Sequence, residues 1–270
     1  MQKPSLVASD IDGTLLDPLH KVTSRTVGTI GRVLATETPF VLVTGRPPRW
    51  IPPVSSEAGL NGYAVCANGA IVLDIGASRL VSVHGLDAMV LHDVVETLET
   101  VMPGLRVATE HATVGPFVED DLGFATEPGY SNPWGDAERN ERPRAEVLGY
   151  TATKLLIRHE DMTSEEMALA AVELVGDAVD VTFSTSLGLI EISAPGVTKA
   201  RGLAEVAGLV GVAQERVVAF GDMPNDIEML RWAGHGVAMA NAHADVLAAA
   251  DEVTGPNSED GVAQVLERWF

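Results

Sequence analysis

Leu6-Val7-Ala8-Ser9-Asp10-Ile11-Asp12-Gly13-Thr14 is an apolar run that breaks into an acidic turn. Read as a buried strand, the run delivers Asp10 and Asp12 to the point where it opens into a loop. Carboxylates two residues apart repel each other, and a proton on one of them or a metal ion relieves the repulsion. Gly13 lets the backbone turn sharply and approach a ligand, while Thr14 adds a hydroxyl and an amide. Asp, Gly and Thr are also ordinary turn residues. Turn chemistry accounts for the glycine but not for both acids.

The same arrangement recurs outward along the chain. From Thr23 to about Thr36 the apolar residues Val27, Ile30, Val33 and Leu34 repeat at helical spacing, with Thr23 as N-cap. Phe40 to Val43 is a continuous apolar run, the pattern of a strand buried on both faces of a parallel sheet, and it ends in Thr44-Gly45-Arg46-Pro47. Tyr63 to Ala67 ends in Asn68-Gly69-Ala70, and Ile71 to Asp74 with Arg79 to Val83 reads as a hairpin. Near the other end, Gly196-Val197-Thr198-Lys199 opens a helix to about Ala207, and Arg216 to Phe220 runs into Gly221-Asp222-Met223-Pro224-Asn225-Asp226. A strand near Val237, a helix from about His243, a strand at Glu252-Val253 and a helix from about Glu259 complete the alternation. Ligands of open parallel sheets bind at the carboxyl ends of the strands, so these clusters point to one shared crevice. The predicted fold is α/β, a doubly wound parallel-sheet, Rossmann-like core.

Between the two halves the pattern changes. A helix over Leu86 to Val101, short strands near Arg106 to Ala108, Thr113 to Val118 and Lys154 to Arg158, a helix over Ser164 to Val175, and strands at Ala178 to Ser184 and Leu189 to Ile192 predict an α+β insertion with an antiparallel sheet. The expected division is core over 1–83, insertion over 84–194, and core again over 195–270. Thr126 to Glu146 reads as a long loop. Its Arg139, Arg142 and Arg144 interleave with Glu138, Glu141 and Glu146, the composition of a water-facing stretch rather than an anion clamp.

Composition limits the chemistry. With 46% hydrophobic residues the 270-residue chain can build a real core, and 38 acidic against 18 basic residues give a formal net charge of −20. That field argues against nucleic-acid or anionic-membrane partners. The single Cys66 provides no disulfide framework, no signal-like or spanning apolar segment is evident, and the reading is a cytoplasmic protein. The seven histidines show no zinc-helix pairing, and no Gly-x-Ser-x-Gly elbow is present.

Asp222 and Asp226 form a second acidic cluster directly after an apolar strand, with Pro224 at a first helical position. Hard oxygen ligands of this kind suit magnesium. Asp226 alone also reads as a first-turn acid complementing the helix dipole. Lys199, in a first turn, opposes that dipole, and a phosphate would compensate it. Thr44 and the Gly45 amide offer neutral donors for a phosphoryl oxygen.

Asp10-Ile11-Asp12-Gly13-Thr14, Thr44-Gly45-Arg46, Lys199 and Gly221-Asp222-Met223-Pro224-Asn225-Asp226 resemble, in order, the four motifs of the haloacid dehalogenase superfamily of phosphotransferases. Asn68-Gly69-Ala70, Gly196-Val197-Thr198-Lys199, Asp226-Ile227-Glu228-Met229-Leu230, Gly236-Val237-Ala238-Met239 and Glu259-Asp260-Gly261-Val262-Ala263 further resemble its Cof-like subgroup, subfamily IIB. The resemblance implies Asp10 as nucleophile forming an aspartyl phosphate, and Asp12 as general acid and base. It implies magnesium on Asp10, the Asp12 carbonyl and Asp222, supported by Asp226 and Asn225. It further implies phosphate binding by Thr44, Gly45, Lys199 and Asn225, and a cap in the insertion that would decide the substrate. Arg46 and Asn68 are candidates for contact with substrate. Lys199 is followed by Ala200, where the subgroup commonly has glycine. The expectation is a magnesium-dependent phosphatase for a small phosphorylated metabolite such as a sugar phosphate, acting as monomer or homodimer. A sugar-phosphate phosphomutase and a non-catalytic phosphometabolite-binding protein remain as alternatives.

Overall fold

The computed structural model describes residues 2–113, 123–132 and 140–270. The chain divides into two compact units, one of Met1–Ser82 with Thr198–Phe270 and one of Val83–Val197. In chain order the first stretch holds β1 (Leu6–Ser9), α1 (Ser24–Leu34), β2 (Phe40–Val43), α2 (Ile51–Ala58), β3 (Tyr63–Cys66), β4 (Ile71–Asp74) and β5 (Arg79–Val83). The second unit holds α3 (Ala88–Glu99), β6 (Arg106–Glu110), β7 (Phe124–Thr126), α4 (Arg144–Val147), β8 (Lys154–Arg158), α5 (Ser164–Val175), β9 (Asp180–Thr182) and β10 (Leu189–Ser193). The chain then returns with α6 (Lys199–Leu209), β11 (Val217–Gly221), α7 (Ile227–Trp232), β12 (His235–Ala238), α8 (Ala244–Ala249), β13 (Glu252–Val253) and α9 (Gly261–Leu266).

The first unit is built on an eight-stranded sheet in the order β13-β12-β11-β1-β2-β3-β4-β5. Its pairs from β13 to β3 are parallel, and β4 joins β3 antiparallel. β1 and β2 consist wholly of buried residues because helices need to cover both faces of a parallel sheet. Leu6, Ala8, Val41, Val43, Val65 and Ala219 pack with Leu203 and Val206 of α6 and with Met229 and Leu230 of α7. Strand order reverses at β1, which is flanked by β2 on one side and β11 on the other. This is the switch point at which doubly wound sheets open a crevice.

The Val83–Val197 unit has an antiparallel sheet in the order β7-β6-β8-β10-β9. Alternate residues Val107, Leu155, Ile157, Ile190 and Ile192 lie in one apolar core with Leu91, Val94 and Leu98 of α3 and Met167, Ala171 and Val175 of α5. Thr163 and Glu166 close a capping box at the start of α5.

Several elements differ from the sequence reading. α2 was not anticipated; Pro52 and Pro53 lie in its first turn, where prolines cost no hydrogen bond. β7 falls at Phe124–Thr126, while the strand expected over Thr113 to Val118 lies, apart from Thr113, outside the described residues. The long loop also departs from expectation. Arg144 opens α4 and bonds Glu127 at 2.7 Å and Glu99 at 2.9 Å, so it anchors the segment instead of facing water. Arg139 and Glu138 lie outside the described residues. Among the described residues no helix is long and apolar enough to cross a membrane.

Candidate active site

Four loops at the carboxyl ends of adjacent parallel strands carry the polar clusters. Asp10 follows β1, Thr44 follows β2, Ala67 to Gly69 follow β3, and Asp222 follows β11. Backbone bonds tie neighbouring loops together, with the Asn68 amide donating to the Thr44 carbonyl at 3.0 Å and the Ala67 amide to the Arg46 carbonyl at 2.9 Å.

At the centre is a buried charge cluster. Lys199 Nζ donates to Asp10 Oδ1 at 2.6 Å and to Asp226 Oδ1 at 2.6 Å, and its side chain is 1% exposed. The lysine that opposes the dipole of α6 is thus compensated within the protein by two carboxylates, not only by a ligand. Burial alone would lower the Lys199 pKa, but Asp10 and Asp226 more than reverse that and raise it above its ordinary range. Asp226 Oδ2 accepts from the amides of Asp222 and Met223, both at 3.0 Å, so both of its oxygens are engaged. Thr14 Oγ1 donates to Asp222 Oδ1 at 2.9 Å, which joins the two acidic turns directly.

Asp12 belongs to a different pair. Its Oδ2 and Oδ1 accept from Arg46 Nε at 2.7 Å and Nη2 at 2.6 Å. The two acids of the opening turn therefore do not share one cation. Arg46, a candidate for substrate contact, has a side chain only 19% exposed because it lies against Asp12. Arg46 N also donates to Thr44 Oγ1 at 3.0 Å, which leaves the threonine hydroxyl proton to point elsewhere. Asn225 Nδ2 donates to Asn68 Oδ1 at 3.1 Å, while Asn225 Oδ1 is buried without a hydrogen-bond partner. Asn68 and its neighbour Ala67 both have positive φ, 56° and 49°, a conformation that is costly for residues other than glycine.

The donor set fits a hard cation. Asp10, Asp222 and Asp226 each offer an oxygen, and these atoms lie within 4.8 Å of one another. Three buried carboxylates against one ammonium leave a surplus of negative charge. Burial, offset in part by Lys199 and reinforced by Asp226 and Asp222, raises Asp10 well above its ordinary value. Burial and then Asp226 push Asp222 up to about 7. A divalent cation with oxygen preference would remove both penalties, and Asp10 and Asp222 retain oxygens with which to hold it.

Two asparagines outside the expected set also touch the site. Asn241 Nδ2 donates to the Gly13 carbonyl at 2.9 Å, and Asn257 Nδ2 to the Leu16 carbonyl at 2.8 Å. Asn241 follows β12, another parallel strand, so the rule that located the other clusters would also have reached it.

A doubly wound core with acidic turns and a buried lysine at its strand ends is a hydrolase fold and site shared with known proteins. The model of the haloacid dehalogenase-like hydrolases matches residues 7–266, and the chain belongs to that family. It is 30% identical over 294 residues to the 5-amino-6-(5-phospho-D-ribitylamino)uracil phosphatase YitU of Bacillus subtilis (strain 168), covering 99% of this chain and 98% of that one. It is 28% identical over 281 residues to the pyridoxal phosphate phosphatase YbhA of Escherichia coli (strain K12), covering 97% of each. Among solved structures, a haloacid dehalogenase-like hydrolase from Bacteroides thetaiotaomicron superimposes with a TM-score of 0.76 at 27% identity, covering 98% of this chain and 99% of that chain.

Proposed function

We propose that the protein is a magnesium-dependent phosphatase that hydrolyses a small phosphorylated metabolite, such as a sugar phosphate, through an aspartyl phosphate on Asp10. The observation that carries this reading is Lys199 held between Asp10 and Asp226, which fixes the nucleophile and keeps a full positive charge beside it. Phosphoryl transfer depends mainly on positioning and charge stabilisation, and this geometry supplies both.

In the first step an Asp10 oxygen bonds phosphorus as the bond to the leaving oxygen breaks, and Asp12 gives that oxygen a proton. In the second, Asp12 takes a proton from water, the water oxygen bonds phosphorus, and the bond from Asp10 to phosphorus breaks to release phosphate. Lys199 and the Thr44 hydroxyl, with the Gly45 amide, stabilise the phosphoryl oxygens. Asn225 is oriented by its 3.1 Å bond to Asn68. Magnesium held by Asp10 and Asp222 would shield the anionic nucleophile from its anionic substrate. Asp226 serves chiefly to hold Lys199. Arg46, bound to both Asp12 oxygens, fixes the position of that carboxyl group beside the site.

The test is phosphate release from 4-nitrophenyl phosphate and from a panel of phosphorylated metabolites, with and without magnesium. Asp10→Asn is expected to abolish turnover and the phosphoenzyme, and Asp12→Asn to slow hydrolysis of the phosphoenzyme, and its formation from alkyl esters, by about 100-fold or more. Wild-type rates in either variant would overturn the assignment. Isomer formation from a hexose phosphate in place of free phosphate would mark a mutase.

A further inference from the structure

The turn that carries Asp12 needs an external support. Gly13 has φ 77°, and a Cβ there would collide with the Asp222 carboxylate, so only glycine fits. Glycine restrains its backbone less than any other residue. Arg46 holds the Asp12 carboxyl from one side, and the peptide that follows Asp12 is free to be set through the Gly13 carbonyl from the other.

Asn241 supplies the support. Its Nδ2 donates to the Gly13 carbonyl at 2.9 Å while its Oδ1 accepts from the Asn257 amide at 2.9 Å. Asn257 Nδ2 in turn donates to the Leu16 carbonyl at 2.8 Å, so both ends of the turn are tied to the loops after β12 and β13. The segment bearing Asn241 is itself fixed to the other acidic turn, with the Met239 amide on the Gly221 carbonyl at 3.1 Å and the His243 amide on the Asp222 carbonyl at 2.8 Å. One short segment thus sets the spacing of the two acidic turns.

We infer that Asn241, braced by Asn257, is a positioning residue that aims the Asp12 carboxyl for proton transfer to the leaving oxygen. This rests on the reading of Asp12 as general acid and base. It predicts a selective defect. A 4-nitrophenolate leaves without help from a proton, whereas an alkoxide does not, so a misaimed acid harms alkyl phosphates more than aryl phosphates.

The experiment compares kcat/KM for 4-nitrophenyl phosphate and 2-phenylethyl phosphate in the full-length protein with magnesium. Asn241→Asp keeps the shape and the acceptor for Asn257 but turns the donor to Gly13 into an oxygen. It is expected to lose about tenfold on the alkyl ester and less than about threefold on the aryl ester, part of the range general acid catalysis supplies. Asn241→Ala, which removes both bonds without adding charge, is expected to show the same selectivity, and Asp12→Asn a stronger version of it. Melting temperatures report whether the fold is intact. Equal losses on the two esters, or no loss on either, would overturn the inference while leaving the phosphatase reading in place. Failure of the wild type on both would instead remove that reading.

Discussion

Asp10 and Asp12 lie two residues apart and answer to different cations, Lys199 for one and Arg46 for the other. The surplus charge falls on Asp222, whose carboxyl is raised from 3.8 to about 7 by burial and then by Asp226. A carboxyl raised by folding contributes stability below its unfolded value and loses it as pH climbs through the folded value. Between roughly pH 4 and 7 the metal-free protein should therefore lose stability that Asp222→Asn does not lose. Melting in a chelator across this window checks it, and magnesium should restore the wild type increasingly as pH rises. Parallel profiles for the two proteins would contradict the assignment. The identity of these residues was legible from local spacing, but their partners were not. The Asp10 to Lys199 bond spans 189 positions and the Asp12 to Arg46 bond 34, and no local pattern encodes either.

At the scale of elements, α6 delivers Lys199, and its seat depends on two glycines. A Cβ on Gly69 would strike the Thr198 carbonyl at the N-cap, and one on Gly202 would strike Val65 of β3 and lie 3.2 Å from Gly69 Cα. The glycine expected after the lysine is Ala200 here, and the close approach is made at Gly202 instead. Gly202→Ala would gain about 1 kcal/mol of helix propensity but overpack against an interior strand at a cost of about 1–3 kcal/mol. Overpacking wins, since Val65 is fully buried and cannot move aside, so the variant should be less stable and bind phosphate esters more weakly. Gly208→Ala in the same helix meets nothing within 4 Å and should gain up to about 1 kcal/mol. Urea unfolding of both variants decides the matter; similar gains would mean that the approach is not tight. Helical spacing made α1 legible, the opening Gly196-Val197-Thr198-Lys199 marked α6, and continuous apolar runs revealed β1, β2 and β3. α2 escaped because its prolines occupy the one turn that tolerates them, and three-residue β7 is too short to show alternation.

For the molecule as a whole, the question is how a chain of net charge −20 admits an anionic ester. The site itself comes close to neutral. Three carboxylates and one ammonium would sum to zero with a divalent cation bound, and Arg46 cancels Asp12. Lys199 and Arg46 are thus already paired with carboxylates and exert little pull from afar. Beyond the site, the field is that of the acidic surface, and it opposes the approach of a dianion. Salt screens that repulsion, since the Debye length falls from roughly 30 Å at 0.01 M to about 10 Å at 0.1 M. At saturating magnesium, kcat/KM for a dianionic ester should therefore rise by about two- to fivefold over this range while kcat stays constant. A fall instead would mean that Lys199 and Arg46 reach beyond their own carboxylates and steer the substrate in. Repeating the titration with Arg46→Ala separates the two cases, because a steering arginine would take the salt dependence with it when removed.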